Sequence, residues 1–191
     1  MRVFVVNPPA PVVSWEEADQ HLKLSGDTSQ QPEVEAMIAA ATAHIDGPDG
    51  WLGRAIGVQT LEARFETRSC RATVQLLYRP LIDLVSVQYL DNQDVLQDAD
   101  PAEFELLGSE LAPIGPVFPW QDGSLRREAV RVTYRAGYAD LPMAIRAAIL
   151  LMVGDLYAQR STVVTGDRAA AVSVPMSTTV ETLLSPFRVY P

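Results

Sequence analysis

Side chains that could carry out catalysis or bind a metal are sparse in this sequence. His21 and His44 are the only histidines, and Cys70 is the only cysteine, among 191 residues. A metal site needs three or four convergent ligands, and nucleophilic catalysis needs a base held against the nucleophile. His21 has no second ligand at a binding spacing, and His44 has only Asp46 and Asp49 nearby in the sequence. We therefore expect no catalytic residues, no metal ligands, no cofactor and no enzymatic activity.

Glycines and carboxylates offer no stronger signal. Four glycines fall within residues 47–57, but they lack the Gly-Lys-Ser/Thr ending of a phosphate-binding loop and precede a strand pattern rather than a helix. The carboxylates of residues 16–19 and 33–35 stand at the starts of two predicted helices, which is typical of solvated helix faces. The lack of a chemical site favours a binding or structural role.

Composition narrows the possible partners and compartments. The net charge is −9 and 48% of the residues are apolar, which argues against a protein that grips nucleic acid through clustered cations. A single cysteine excludes an intrachain disulfide and fits a reducing compartment. The start of the chain lacks the pattern of a secretory signal, and the apolar run at residues 147–153 is far shorter than the ~20 residues that span a bilayer. We expect a soluble protein without a membrane partner.

One stretch near the middle of the C-terminal half organises the predicted core. Residues 130–135 alternate between apolar and polar side chains, the period of a strand with one buried face. Gly137 permits a backbone conformation that most residues avoid, and Pro142 suits the first turn of a helix. Apolar side chains then recur at helical spacing up to Leu156. We predict a core strand, a tight turn and a long core helix.

The remaining pattern predicts two more helices before the strands. Ser14 and Glu17 form a capping box at the first of them. The predicted divisions are an extended proline-rich arm at residues 1–13, a core at 14–160 with helices 14–24, 33–46 and 142–160 and strands within 58–135, and a loop, short helix and tail at 161–191. The three prolines of residues 113–120 predict an edge strand or a loop. The predicted fold class is α+β, mostly helical, with an inserted antiparallel sheet.

Several short segments, taken in order, resemble one known family. They are residues 14–24, 37–46, 50–55, 76–87, 130–138 and 142–160, and the closing Leu-Leu-Ser-Pro-Phe-Arg of residues 183–188. This ordered set resembles the head–tail connector (adaptor) proteins of tailed bacteriophages and prophages. The segment at residues 45–48 departs from the family's helix end, and the first thirteen residues have no counterpart in it.

The resemblance implies a structural protein that is made in the host bacterial cytoplasm and incorporated into the virion neck. Such a protein forms a ring of about twelve copies that docks on the portal protein and meets a stopper or tail-completion protein on its other side. DNA passes through the ring without sequence-specific binding, and an acidic chain suits such a channel. Two alternatives remain: a stopper or tail-completion protein of the same particle and, less favoured, a small ligand-binding domain or enzyme using His44 and Asp46.

Two sets of residues are predicted to form interfaces. Exposed aromatic side chains and arginine at a terminus are costly without a partner, so the portal contact is assigned to Arg160, Leu183, Leu184, Pro186, Phe187, Arg188 and Tyr190. The alternative is that this tail folds back onto its own core. Contacts between subunits are assigned to Gln59, Glu62, Arg64, Glu66, Arg68 and Arg71, with a solvated sheet face as the alternative. The long loop at residues 161–177 is predicted to become ordered on assembly.

Overall fold

Two antiparallel sheets and a layer of helices make up the computed structural model, which describes residues 1–67, 72–159 and 176–190. The elements in chain order are β1 (Arg2–Asn7), α1 (Trp15–Leu22), α2 (Gln31–Ile45), β2 (Gln59–Phe65), β3 (Val74–Gln75), β4 (Leu81–Leu90), β5 (Leu96–Ala99), β6 (Phe104–Leu107), β7 (Glu110–Pro113), β8 (Val130–Ala136), α3 (Met143–Ala158) and α4 (Thr178–Leu184). Of the described residues, 33% are helical and 28% lie in strands.

The prediction of a mostly helical protein is therefore wrong. The arm at residues 1–13 contains β1, which pairs with β2 along one edge of the larger sheet. Three further strands, β5, β6 and β7, contain only four residues each. Strands this short show little periodicity, and they are ordered by hydrogen bonds to neighbouring strands that a sequence window does not reveal.

The larger sheet has the strand order β1-β2-β8-β4-β5. Its central strand, β8, confirms the predicted alternation: Val130, Val132 and Tyr134 are buried, whereas Arg131 and Arg135 lie on the opposite face. Because every neighbouring pair in this sheet is antiparallel, one face can pack on a core while the other meets solvent.

A cluster of aromatic rings fills the core between this sheet and the smaller one, whose order is β3-β7-β6. Trp120 is fully buried, with ring centroids 4.5 Å from Phe118, 5.6 Å from Phe104 and 6.1 Å from Phe65. The segment at residues 113–120, predicted as an edge strand or a loop, begins with Pro113, the last residue of β7. Its own last residue, Trp120, lies at the centre of this core.

The helices pack around a second core of their own. Its fully buried members include Ile45 of α2, Ile145 and Ile149 of α3, and Leu184 of α4. Among the described residues, no helix has the combination of length and apolar character needed to cross a membrane.

Polar contacts tie the helices to one another. The capping box is present: the Ser14 backbone N–H donates to the Glu17 carboxylate at 2.9 Å, and the Glu17 backbone N–H donates to the Ser14 hydroxyl at 3.3 Å. Glu17 also accepts from the Arg146 guanidinium at 2.5 Å, which joins α1 to α3. The Tyr157 hydroxyl donates to the Gln30 side chain at 2.6 Å. These bonds join α1 to α3, and the end of α3 to the residue that precedes α2.

The helical layer is attached to one end of the larger sheet, where β2 begins and β8 ends. Gly137 follows β8 with φ +121°, and a Cβ atom there would lie 2.1 Å from the Gly57 carbonyl oxygen. Only glycine permits both this backbone conformation and this close approach. The Tyr138 backbone N–H then donates to the Ile56 carbonyl at 3.0 Å. The segment that joins α2 to β2 and the segment that joins β8 to α3 therefore lie side by side.

Candidate assembly surfaces

The C-terminal tail is fastened to the helical core. Leu184 is buried, and Leu183 and Phe187 pack against the same cluster. The Phe187 carbonyl accepts a hydrogen bond from the Arg54 guanidinium, and the Val189 backbone N–H donates to the Leu52 carbonyl at 2.9 Å. The tail thereby bonds to the loop that follows α2.

The last described residues end in an aromatic and cationic group. The Arg188 guanidinium lies 4.0 Å from the ring centroid of Trp51 and 4.9 Å from that of Tyr190. Cation–π contacts of this kind hold the arginine against its own subunit. Tyr190 nevertheless remains 73% exposed, and Pro186 is also exposed.

The residues assigned to the portal contact are therefore divided. Leu183, Leu184 and Phe187 follow the alternative in which the tail folds back onto its own core. The exposed Pro186 and Tyr190 stay available to a partner, with the half-buried Arg188 between them. Arg160 and all but the last two residues of the predicted loop lie outside the described residues.

This division predicts different effects for two aromatic substitutions. Phe187→Ala should lower the free energy of unfolding by about 1–3 kcal/mol, because it removes a ring that is packed on the helical core. Tyr190→Ala should change it by less than about 0.5 kcal/mol, because most of that side chain is in solvent. Urea denaturation of both variants measures the difference, and equal losses would contradict this description of the tail.

The outer face of β2 carries part of the set assigned to subunit contacts. The Arg64 Nε lies 2.5 Å from the Glu62 carboxylate, and the Arg64 guanidinium stacks 4.8 Å from the Phe4 ring centroid. Glu128 forms an ion pair with Arg2 at 3.2 Å and approaches Arg64 at 3.8 Å. Arg64, Glu62 and Glu128 are half-buried and still reach solvent, and ion pairs near the surface contribute little to stability, typically about 0–1 kcal/mol each.

The rest of that set lies elsewhere. Glu66 is exposed just beyond β2, while Arg68 and Arg71 lie outside the described residues. Gln59 is only 3% exposed, so little of its side chain is available to a neighbouring subunit. It falls on the same face of β2 as Leu61, two positions further on, and the period of two could have placed it inside.

Asp46, at the C-terminal end of α2, holds the junction between helices and sheet. Its carboxylate accepts from the Ile56 backbone N–H at 2.6 Å and from the Gln59 amide at 3.0 and 3.1 Å. Burial raises the pKa of Asp46, and the hydrogen bonds from Ile56 and Gln59 oppose that shift only in part. The residue that sequence reasoning paired with His44 is thus occupied in a structural contact.

The two histidines have separate surroundings. His44 is exposed on α2, and His21 lies over Gly154, where a Cβ atom would be 3.5 Å from the imidazole Nε2. Within residues 1–67, 72–159 and 176–190, no group of three His, Cys, Asp or Glu side chains could hold a metal ion.

A groove of about 810 Å³ runs between the N-terminal arm and α2, and we call it the α2 groove. Its apolar lining includes Trp15, Ile38 and the prolines of residues 8–11. Thr42 also lines it, with a hydroxyl oxygen that is buried and has no hydrogen-bond partner among the described residues. Acidic side chains line it as well: Glu16, Glu35, Asp46 and Asp49.

Comparison with known proteins shows likeness in fold but not in sequence. No protein-family model matches the chain, and no curated protein matches its sequence significantly. A solved chain from the neck of an empty gene transfer agent (GTA) particle, computed with C6 symmetry, matches with a TM-score of 0.75 and 16% identity, covering 100% of this chain and 97% of the other.

Two further solved chains match over similar lengths. One comes from the virion of the native GTA particle, with a TM-score of 0.66, 17% identity and coverage of 100% and 97%. The other comes from the neck of the native particle computed with C12 symmetry, with a TM-score of 0.59, 15% identity and coverage of 97% and 96%. These three likenesses show that the whole chain shares its fold with components of that particle.

Proposed function

We propose that this protein is a structural, non-enzymatic component of the neck of a phage-like particle. The observation that carries the proposal is the full-length likeness in fold to a GTA neck chain, at a TM-score of 0.75. The ordered resemblance of its short segments to head–tail connectors supports it independently, because that resemblance came from residue types and not from the fold. A structural role also fits the absence of a sequence pattern for catalysis.

Within the neck, we assign the protein to the adaptor ring. Two of the solved neighbours belong to necks computed with C6 and C12 symmetry, which supports a ring of about twelve copies. The net charge of −9 would let DNA slide through such a ring without being held. The portal protein would contact one side of the ring, and a stopper or tail-completion protein the other.

The exposed end of the tail is our candidate for the portal contact. Arg188 and Tyr190 are of the residue types that dominate interface hot spots, and both are anchored by a tail that is itself packed on the core. The alternative with His44 and Asp46 as an enzyme pair is disfavoured, because Asp46 is engaged by Ile56 and Gln59.

Reconstitution with the portal protein encoded in the same genome tests this function. Purified chain and portal are mixed, and the complexes are imaged by cryo-electron microscopy. We expect a ring of density at the narrow end of the portal, and loss of that ring with Tyr190→Ala but not with the exposed control Met143→Ala. A second mixture that also contains the adaptor ring from the same genome tests the alternative: density only on the far side of that ring would show a stopper or tail-completion protein. No density in either mixture would refute the neck assignment.

A further inference from the structure

We propose that neighbouring copies of this chain join head to tail, with the loop at residues 125–127 of one copy seated in the α2 groove of the next. The inference rests on the proposed ring and identifies the surfaces that would build it. Two observations carry it: an acidic apolar groove, and a basic apolar loop at the opposite end of the same subunit.

The helix that forms one wall of the α2 groove presents small apolar side chains and carboxylates to it. Val34, Ile38 and Ile45 are buried in the helical core. Ala39 and Ala43 line the groove and are exposed, and Glu35 and Asp46 line the same wall. Small side chains allow another chain to approach the backbone closely. This wall therefore suits a partner that carries both apolar and basic side chains.

The 125–127 loop has the complementary character. Leu125 is 67% exposed and presents a large apolar side chain to solvent. Arg126 and Arg127 follow it and are both exposed. The only ion pair recorded for Arg126 among the described residues is with Asp94 at 3.7 Å, and the Arg126 side chain remains 66% exposed. An apolar side chain beside two arginines matches a groove with an apolar floor and carboxylates along its lining.

The size of the groove admits a short loop. A volume of about 810 Å³ lies within the range of pockets that enclose a drug-sized ligand, roughly 300–1,000 Å³. That space exceeds what one leucine side chain fills and accommodates a short turn with its flanking side chains. Glu16 and Glu35, both exposed beside the groove, can then meet the two arginines.

The positions of the two surfaces exclude contact within one copy. The α2 groove includes Gln59, the first residue of β2, whereas the 125–127 loop precedes Val130, which pairs with Phe65 at the other end of that strand. Seven strand residues span roughly 20 Å. A contact between different patches at opposite ends of a subunit is heterologous, and it generates a ring when the rotation between neighbouring copies closes.

Paired cysteines test the contact directly. Ala43→Cys and Leu125→Cys are combined in a chain whose own Cys70 is replaced by serine, and the protein is treated with a short bismaleimide cross-linker, alone at high concentration and on the portal. We expect a ladder of covalent oligomers in at least one condition. The matched control combines Leu125→Cys with Met143→Cys, which lies on the exposed start of α3, and should give at least tenfold less cross-linking.

Charge reversal then tests the recognition. Arg126→Glu with Arg127→Glu should reduce the ladder at least tenfold, and adding Glu16→Arg with Glu35→Arg to the same chain should restore it. All four side chains are exposed, so the fold should persist, and circular dichroism checks this. Rings on the portal without the ladder, or a ladder indifferent to charge reversal, would overturn the inference while leaving the neck function standing. A charge-dependent ladder without portal density would support the contact and refute the neck function.

Discussion

Trp120→Ala is expected to lower the free energy of unfolding by about 3–5 kcal/mol, which is the cost of deleting a fully buried tryptophan from a packed core. The side chain has no exposed surface and contacts rings from β2, β6 and the segment before it: Phe65, Phe104 and Phe118. Alanine would leave a cavity between the two sheets that the surrounding strands cannot close. Urea denaturation followed by circular dichroism measures the loss without depending on tryptophan fluorescence.

Trp120→Phe is the matched control. The indole Nε1 is buried and has no hydrogen-bond partner among the described residues, so phenylalanine forfeits no hydrogen bond and loses only part of the ring volume. We expect a loss of about 1–2 kcal/mol. A loss for Trp120→Phe as large as that for alanine would show that the indole N–H is bonded after all. A small loss for alanine would mean that the two sheets do not share this core.

Trp120 also shows why part of the fold escaped sequence reasoning. Its segment contains three prolines and one glycine, and such a composition predicts an edge or a loop. The backbone is irregular there, but the Trp120 side chain points inward. It fills the space between the smaller sheet and strands β2 and β8 of the larger one. Periodicity reports which face of a regular element is buried, and it says nothing about an irregular one.

Where the elements are long and regular, the sequence was sufficient. The alternation in β8, the glycine turn at Gly137 and the capping box at Ser14 are all determined by local chemistry. The short strands β5, β6 and β7 are held mainly by cross-strand partners, so a pattern over four residues is only a weak signal for them. A prediction that gives such strands little weight overestimates the helical share of the chain.

The candidate surfaces show the same limit. The residue types of Arg188 and Tyr190 indicate an interface at the end of the chain. Whether a tail is exposed, however, depends on which residues of the folded chain pack against it. Here Trp51, at the end of the turn after α2, stacks against Arg188 from more than a hundred residues away in the sequence. The α2 groove likewise forms between the arm and α2, and two of its carboxylates, Glu16 and Glu35, stand at sequence positions typical of a solvated helix face.

Asp46→Ala is expected to lower the free energy of unfolding by about 2–4 kcal/mol, the second large effect. The substitution leaves the Ile56 backbone N–H and the Gln59 amide without their acceptor in a half-buried junction, and each buried donor without a partner costs about 1–3 kcal/mol. Asp46→Asn keeps one oxygen for Ile56 and Gln59 and gives up only the second contact with Gln59, so it should lose only about 1 kcal/mol. Urea denaturation of the three proteins at neutral pH measures both differences.

The same variants give a test in pH. Because burial raises the pKa of Asp46 in the folded state above its ordinary value of 3.8, the protonated carboxyl favours folding more than the charged one does. Its contribution to stability is therefore fully present below pH 3.8 and declines as the pH rises through the raised value in the folded state. Other carboxyls, such as Glu17, Asp83 and Asp91, have lowered pKa values and lose stability in acid, but they do so equally in all three proteins. The stability of the natural chain relative to Asp46→Asn should thus increase from pH 7 toward pH 4, and a decrease would show that the hydrogen bonds, rather than burial, dominate at this junction.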